Sequence, residues 1–142
     1  MPESSAEPRT QYAALPWRSG EAGVEVMLIT SRETRRWVIP KGWPIGGIGP
    51  AASAAQEAYE EAGVEGSIRK KALGTYRYEK RLKDGTLRPV SVMVFPLKVK
   101  VEHAEWPERP QREVRWASVD EAAELVDEPK LKKLIARFKP RG

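Results

Sequence analysis

The sequence predicts an α/β fold in which helices cover both faces of a mixed β-sheet, and three observations support this prediction. The 142 residues are the length of one domain, and 40% of them are hydrophobic, which is enough for a core without disulfides or structural metals. Strand-like segments occur on both sides of a single central helix, and helical segments follow at the C-terminus. No internal repeat or linker divides the chain.

The N-terminal part of the chain predicts three strands. Residues 12–18 and 24–30 are apolar segments on either side of the Gly20–Gly23 turn, a pattern that indicates a hairpin. Residues 37–39 predict a short third strand that ends at Pro40. These segments supply the first strands of the predicted sheet.

Residues 51–62 predict the central helix, and the flanking residues define its ends. Gly49-Pro50 is a start signal, because a proline at the first helical position loses only an amide that would have no partner anyway. Gly63 is the left-handed glycine expected at a helix C-terminus.

Beyond this helix the sequence predicts more strands and then C-terminal helices. The strands lie near residues 72–79, 87–101 and 113–117. Ser118 and Glu121 form a capping-box pair, which marks a helix start. The last helix begins at about Pro129, and its apolar stripe consists of Leu131, Leu134, Ile135 and Phe138.

Composition restricts the location and the partners of the protein. Residues 1–10 are polar and lack the apolar stretch of a secretory signal, so we expect a flexible segment ahead of a single domain over residues 11–142. The absence of cysteine excludes disulfide scaffolds, thiolate zinc sites and cysteine nucleophiles, and it favours a cytoplasmic location. No apolar run approaches the length of a membrane helix, so we expect no membrane partner. The net charge of +5 favours anionic partners such as phosphates.

Three glutamates occupy the central helix opposite its small side chains. At 100° per residue Glu57, Glu60 and Glu61 are neighbours, and nothing on their face neutralises them. They also precede Gly63 by at most two turns, where the helix dipole favours cations. The stripe of small side chains on the opposite face consists of Ala51, Ala55, Ala58 and Ala62. The alternative interpretation is a solvated acidic face without a function. We favour a functional site, because carboxylates near a helix C-terminus are electrostatically unfavourable.

A divalent cation would remove both penalties. Mg²⁺ is commonly held by one or two carboxylates together with substrate phosphates, so it suits glutamates beside a glycine-rich loop better than zinc does. Calcium fits less well because the chain has no Asp-rich loop. The single histidine, His103, excludes a histidine-rich metal site.

Residues 42–64 resemble the Nudix box, G-x5-E-x7-R-E-U-x-E-E-x-G-U, in which U is a bulky aliphatic residue. Five of its seven fixed identities are present. These are the box glycines Gly42 and Gly63 and the carboxylates Glu57, Glu60 and Glu61. Ile48 replaces the early glutamate and Gln56 replaces the arginine. Because both members of an oppositely charged pair are missing, no single charge is left unpaired, and we expect retained activity.

The resemblance extends beyond the box to the diphosphoinositol-polyphosphate phosphohydrolase branch of the MutT-like Nudix superfamily. The segments that carry it are Trp17-Arg18, Thr30-Ser31-Arg32, Arg36-Trp37-Val38-Ile39-Pro40 and Arg112-Glu113-Val114-Arg115-Trp116. It covers roughly residues 12–120. The resemblance implies an α/β/α sandwich with a mixed sheet, a central Nudix helix and C-terminal helices.

The resemblance also implies hydrolysis of a phosphoanhydride bond with Mg²⁺ as cofactor and Mn²⁺ as an alternative ion. Carried over position by position, it makes Glu57 and Glu61 metal ligands. Glu60 is a further ligand or the catalytic base that activates water, and the backbone carbonyl of Lys41 is another ligand. This chemistry is coherent, because metals lower the pKa of bound water and a carboxylate can take its proton.

Five cations near predicted strand ends or loops are candidate substrate contacts. They are Arg18, Arg32, Lys41, Arg81 and Arg112, of which Arg32, Arg81 and Arg112 follow the branch pattern. Arginine suits this task because its guanidinium binds phosphate in bidentate fashion. For each of them the alternative is an ordinary solvated cation.

The predicted substrate is a polyphosphorylated small molecule, either a diphosphoinositol polyphosphate or a diadenosine polyphosphate. Other nucleoside diphosphate derivatives and capped RNA ends stay open, as does a weakened box that serves as a nucleotide- or nucleic-acid-binding module. A nucleic-acid partner is not favoured, because no base-reading motif accompanies the basic C-terminal helix. We expect a monomer or a homodimer.

Overall fold

The computed structural model describes residues 9–140, which contain eight strands and three α-helices. The strands are β1 Arg9–Gly20, β2 Gly23–Thr30, β3 Trp37–Val38, β4 Lys41–Gly42, β5 Val64–Ile68, β6 Gly74–Arg81, β7 Leu87–Glu102 and β8 Val114–Ser118. The helices are α1 Pro50–Glu57, α2 Val119–Leu125 and α3 Pro129–Ala136. A π-helical turn, Ala58–Ala62, continues α1, and a 3₁₀ turn, Arg109–Gln111, precedes β8.

The strands form one mixed sheet, as predicted. Its main path has the order β3-β2-β1-β7-β5, while β4 pairs with β1, β6 with β7 and β8 with β2. β1 runs parallel to β7 and antiparallel to β2, so the hairpin predicted for the first two strands is present. β7 is long enough to pair with β6 along its first part and with β5 along its last part.

Helices cover both faces of this sheet, which confirms the predicted α/β/α sandwich. α1 and the π-helical turn pack on one face through Ala51, Ala54, Ala58 and Ala62. The prediction placed Ala55 in this stripe, but Ala54 is the buried residue. α2 and α3 cover the other face, where Leu131, Ile135 and Phe138 of the predicted apolar stripe are buried. Ser118 caps α2 as predicted, since its Oγ accepts a hydrogen bond from the Glu121 amide.

Two features of the sheet were not predicted. β5 is short and contains Gly66, where a Cβ atom would lie 1.9 Å from the carbonyl oxygen of Lys98. Only glycine permits this approach of two backbones at the irregularity between Glu65 and Gly66. β4 has only two residues and follows Pro40, where the prediction ended the third strand.

The ends of the chain differ from the prediction in one respect. Arg9 and Thr10 belong to β1, although the sequence placed them in a flexible segment, and residues 1–8 of that segment lie outside the described residues. Among the helices of the described residues, none has the length and apolarity needed to cross a membrane.

Candidate active site

The central helix begins and ends where the sequence predicted, but its last turn is π-helical. α1 starts at Pro50 after Gly49 and passes into the π-helical turn at Ala58. The helix ends at Gly63, whose φ of 71° is the left-handed conformation expected there. A π-helical turn inside an α-helix is rare and frequently occurs at functional sites, and here it contains two of the three predicted carboxylates.

The structure divides the three carboxylates into a pair and a separate residue. The side chains of Glu57 and Glu61 interact directly, and Glu61 is only 8% exposed whereas Glu57 is half-buried. Glu60 lies apart from this pair, with one oxygen 2.7 Å from Nε2 of Gln56. Gln56, which replaces the arginine of the box, therefore contacts Glu60 through its side-chain amide.

The environment makes both members of the pair hard to ionise. Burial raises the pKa of Glu61 to about 8, although the charges of Arg112 and Lys41 act in the opposite direction. Burial also raises the pKa of Glu57, and the nearby carboxylates Glu60 and Glu108 add to this effect. A divalent cation between the two carboxyls would stabilise the ionised form of both.

Gly42 makes room for one of these carboxylates. A Cβ atom at position 42 would lie 2.4 Å from Cδ of Glu57 and within 2.7 Å of both carboxylate oxygens. The neighbouring amide of Lys41 donates to Oε1 of Glu61 at 3.3 Å. Both carboxyls therefore lie directly against the backbone of β4, which explains why a glycine is needed at the start of the box.

The second box glycine allows the C-terminal end of the helix to be covered. A Cβ atom at Gly63 would lie 2.4 Å from the ring of Trp106, whose Nε1 donates to the carbonyl oxygen of Glu61. The amide of Glu108 donates to the carbonyl oxygen of Glu60 in the same way. The segment before the 3₁₀ turn thus supplies donors to carbonyls that a helix end otherwise leaves unpaired.

Arg112 lies beside the carboxyl pair, but with partners that the sequence prediction did not foresee. Its Nη2 is 3.6 Å from Oε2 of Glu61 and 2.8 Å from Oε1 of Glu108. Its Nε also donates to Glu108, and its Nη1 donates to the carbonyl oxygen of Thr30. The side chain is only 8% exposed, and its guanidinium is engaged by these protein partners.

Glu108 is a site residue that the sequence analysis missed. Its side chain is about three-quarters buried and contacts Arg112 in an i,i+4 pair within the turn before β8. That spacing of opposite charges was the available signal, but nothing in the sequence indicated that this turn packs against the central helix.

Two predicted substrate contacts lie far from the carboxyl pair. Gly42 pairs with Tyr12, which fixes the level of the site along β1. Arg81 pairs with Leu87, six residues along β7 from the partner of Tyr12, which is roughly 20 Å at about 3.3 Å per residue. Arg18 lies six residues from Tyr12 in the opposite direction, again roughly 20 Å. The structure therefore does not bring Arg18 and Arg81 together at one site.

The local contacts of the remaining candidates are also defined. Arg18 forms ion pairs with Glu25 at 2.7 Å and Glu102 at 3.3 Å. Arg32 lies in the exposed loop after β2, where its Nη1 is 3.5 Å from Oε1 of Gln111, the neighbour of Arg112. Among the predicted arginine contacts, Arg32 combines an exposed side chain with a contact to the neighbour of Arg112.

Lys41 borders the site with its side chain as well as its backbone. Its Nζ lies 4.9 Å from the centre of the Tyr78 ring, and burial lowers the pKa of the ammonium while Glu61 and Glu128 counteract that change. Within residues 9–140, Oε1 of Glu128 is the buried side-chain oxygen or nitrogen without a hydrogen-bond partner. Its other oxygen is 3.4 Å from Nη1 of Arg36.

The residues present fit a hard divalent cation in one respect and not in another. No group of three or more His, Asp or Glu side chains in the described part of the chain is arranged to hold a metal ion. The Glu57–Glu61 pair nevertheless supplies two adjacent oxygen donors, each difficult to ionise without a cation. One or two carboxylates are the usual protein contribution to a Mg²⁺ site that substrate phosphates and water complete.

Comparison with known proteins decides the family. The family model of the NUDIX domain matches residues 9–138. This chain belongs to the Nudix family. The Nudix fold predicted from the sequence is therefore confirmed, whereas the diphosphoinositol branch is not established by the match.

Curated relatives of this Nudix domain are plant proteins. It is 34% identical over 118 residues to Nudix hydrolase 12, mitochondrial, of Arabidopsis thaliana, covering 81% of this chain and 58% of the relative. It is 36% identical over 112 residues to Nudix hydrolase 13, mitochondrial, of the same plant, covering 74% and 54% respectively. The chain thus spans somewhat more than half the length of these relatives, and their mitochondrial names leave its cytoplasmic location a prediction.

Solved structures of Nudix proteins share the fold. The crystal structure of C. elegans Ap4A hydrolase superposes with a TM-score of 0.64 at 18% identity, over 93% of this chain and 96% of that protein. The NUDIX domain of Shewanella oneidensis NrtR complexed with ADP ribose gives a TM-score of 0.67 at 12% identity, over 92% and 87%. At these identities the likeness concerns the fold alone.

Proposed function

We propose that this Nudix domain is a divalent-cation-dependent hydrolase, with Mg²⁺ as its ion and Mn²⁺ as an alternative, that cleaves a phosphoanhydride bond in a polyphosphorylated small molecule. The observation that carries the proposal is the pair formed by buried Glu61 and half-buried Glu57, held against the backbone of β4. Two adjacent carboxyls with little access to solvent are unfavourable for the fold alone. A bound divalent ion would neutralise phosphate oxygens and lower the pKa of a water molecule.

The chain's own residues divide the remaining tasks. Glu57 and Glu61 would hold the ion, together with the backbone carbonyl of Lys41, whose amide already anchors Glu61. Glu60 lies outside this pair and is oriented by the Gln56 amide, so it is our candidate for the base that takes a proton from water. Orienting Glu60 therefore does not require the arginine that the box has at position 56.

The substrate class rests on the cations around the pair. Arg32, which contacts the neighbour of Arg112, and the ammonium of Lys41, which interacts with Glu61, would attract phosphates. We propose a diphosphoinositol polyphosphate or a dinucleoside polyphosphate of the diadenosine type, and the fold likeness to an Ap4A hydrolase supports the second. Nucleoside diphosphate derivatives and capped RNA ends complete the panel to be tested. We propose that the protein acts in the cytoplasm as a monomer or a homodimer.

A second candidate is a Nudix module that binds a nucleotide without cleaving it. The observation in its favour is the replacement of two charged box positions by Ile48, which is 45% exposed, and by Gln56. Exposure of Ile48 shows that this position contributes neither a charge to the site nor a side chain to the core.

Phosphate release separates the two candidates. Wild-type protein and the Glu57→Gln variant would be incubated with the substrate panel and Mg²⁺, with Glu124→Gln as a control on an exposed part of α2. Because a metal ion supplies several kcal/mol of transition-state stabilisation, we expect Glu57→Gln to lose at least about 100-fold in kcat/KM. The control should match wild type. If wild-type protein binds nucleotides but releases no phosphate from any substrate, the hydrolase is refuted and the binding module is supported.

A further inference from the structure

The guanidinium of Arg112 is held on three sides by the protein. Nε donates to Oε1 of Glu108 at 2.9 Å, Nη2 forms an ion pair with the same oxygen at 2.8 Å, and Nη1 donates to the Thr30 carbonyl oxygen at 2.9 Å. Thr30 is itself fixed, because it is buried and its Oγ1 accepts from the Glu113 amide. With contacts to the end of β2 and to the turn before β8, the planar group has a single orientation.

That orientation directs one nitrogen at a carboxylate of the helix. Nη2 lies 3.6 Å from Oε2 of Glu61, while the amide of Lys41 donates to Oε1 of the same carboxylate at 3.3 Å. Each oxygen of Glu61 therefore faces one donor, and the two donors come from different elements. Neither α1 nor the π-helical turn has a basic residue in its last turn, and the amide at position 56 is bonded to Glu60.

We propose that Arg112 is a positioning residue for the metal site, which sets the orientation of the Glu61 carboxylate from outside the helix, with Glu108 as its anchor. This inference rests on the proposed function, because it gives Glu61 a metal to bind. It assigns Arg112 a task different from the substrate contact that the sequence predicted. Partners that orient a metal ligand typically affect metal affinity or activity by about 10- to 100-fold.

Metal binding without substrate is the most direct test. Mn²⁺ affinity would be measured by electron paramagnetic resonance for wild type, Arg112→Gln and Arg112→Lys. We expect Arg112→Gln to weaken Mn²⁺ binding by about 10- to 100-fold. Arg112→Lys keeps the charge but cannot reproduce the three directed contacts, so a loss of at least about fivefold is expected from it as well. Arg109→Gln, on the same turn but 53% exposed and paired with Glu105, is the matched control and should bind like wild type.

A second variant tests the anchor and guards against misfolding. Glu108→Gln leaves Arg112 in place but weakens its anchoring, and it should lower Mn²⁺ affinity in the same direction. Thermal melts identify the folded variants. If Arg112→Gln is folded and binds Mn²⁺ as wild type does, the proposal is overturned. If that variant does not fold, wild-type Mn²⁺ binding by folded Arg112→Lys and Glu108→Gln overturns the proposal.

Kinetics distinguish positioning from substrate contact and from failure of the proposed function. A positioning role predicts a lower kcat and a higher Mg²⁺ requirement, whereas a rise only in the KM for substrate at saturating Mg²⁺ would overturn it. If wild type binds Mn²⁺ and Arg112→Gln binds it weakly, but no substrate is turned over, the inference stands and the hydrolase fails. If wild type binds no Mn²⁺, the positioning role is refuted.

Discussion

Replacing Gly42 by alanine should disable the site while leaving the fold intact. The new Cβ would lie 2.4 Å from Cδ of Glu57, whereas ordinary contact begins at 3.4 Å, so the carboxylate must retreat by about 1 Å. The obstructing atoms are the end of a flexible side chain, and the φ of Gly42 is not in the left-handed region. The backbone can therefore accept alanine. Because alanine also restricts the conformations of the unfolded chain, the substitution can raise the free energy of unfolding by about 0.4–1 kcal/mol.

A displacement of about 1 Å in a catalytic group can reduce the rate by roughly 100-fold. We therefore expect Gly42→Ala to lower Mg²⁺-dependent kcat/KM by about that factor. Urea denaturation should show a free energy of unfolding equal to or above that of wild type. Gly46→Ala is the matched control, because it lies in the same loop region, has no atom within 4 Å of the new Cβ and does not have a positive φ.

Two outcomes would refute this reasoning. Activity within about threefold of wild type in Gly42→Ala would mean that the position of the Glu57 carboxylate does not matter. A large loss of stability in the same variant would mean that Gly42 serves the fold, since the activity loss would then follow from unfolding. A similar loss in Gly46→Ala would point to the loop in general.

Stability, pH dependence and the metal requirement can each be tested as well. Gly63→Ala should lower the free energy of unfolding by at least about 1 kcal/mol, because alanine would need a left-handed φ and its Cβ would clash with Trp106. Urea titrations measure this change, and unchanged stability would contradict the prediction. The metal-free protein should lose thermal stability as pH rises from 4.5, the ordinary pKa of a glutamate, to about 8, because folded Glu61 retains a proton that the unfolded chain has released. Glu61→Gln should flatten that slope in melts with EDTA, and an unchanged slope would count against it. Activity removed by EDTA should return with Mg²⁺ or Mn²⁺ but not with Na⁺.

The sequence contained enough to predict the sandwich and the central helix. Pro50 and Gly63 mark the helix ends through local backbone rules, and the structure places both ends there. The periodicity of the alanines predicted the buried face, although the buried alanine in its middle is Ala54 and not Ala55. Such signals are local in sequence, which is why they could be interpreted without a structure.

The division of the carboxylates and the role of Arg112 could not be predicted. Helical spacing treats three glutamates as equivalent, whereas the π-helical turn and β4 bring together only Glu57 and Glu61. Arg112 is about fifty residues from Glu61 along the chain, and only the packing of its turn on the helix end brings them within 3.6 Å. A cation of this kind resembles a phosphate contact in sequence, because its partners are set by tertiary structure.

We propose above all that Glu57 and Glu61 form the divalent-cation site of a hydrolase. The most direct measurement is an anomalous difference map from crystals soaked with Mn²⁺ and a nonhydrolysable polyphosphate. We predict a peak within about 2.2 Å of one oxygen from each of these two carboxylates, with the polyphosphate in contact with the same ion. A map with no peak at the pair, or with Mn²⁺ bound only elsewhere on the protein, would contradict the claim.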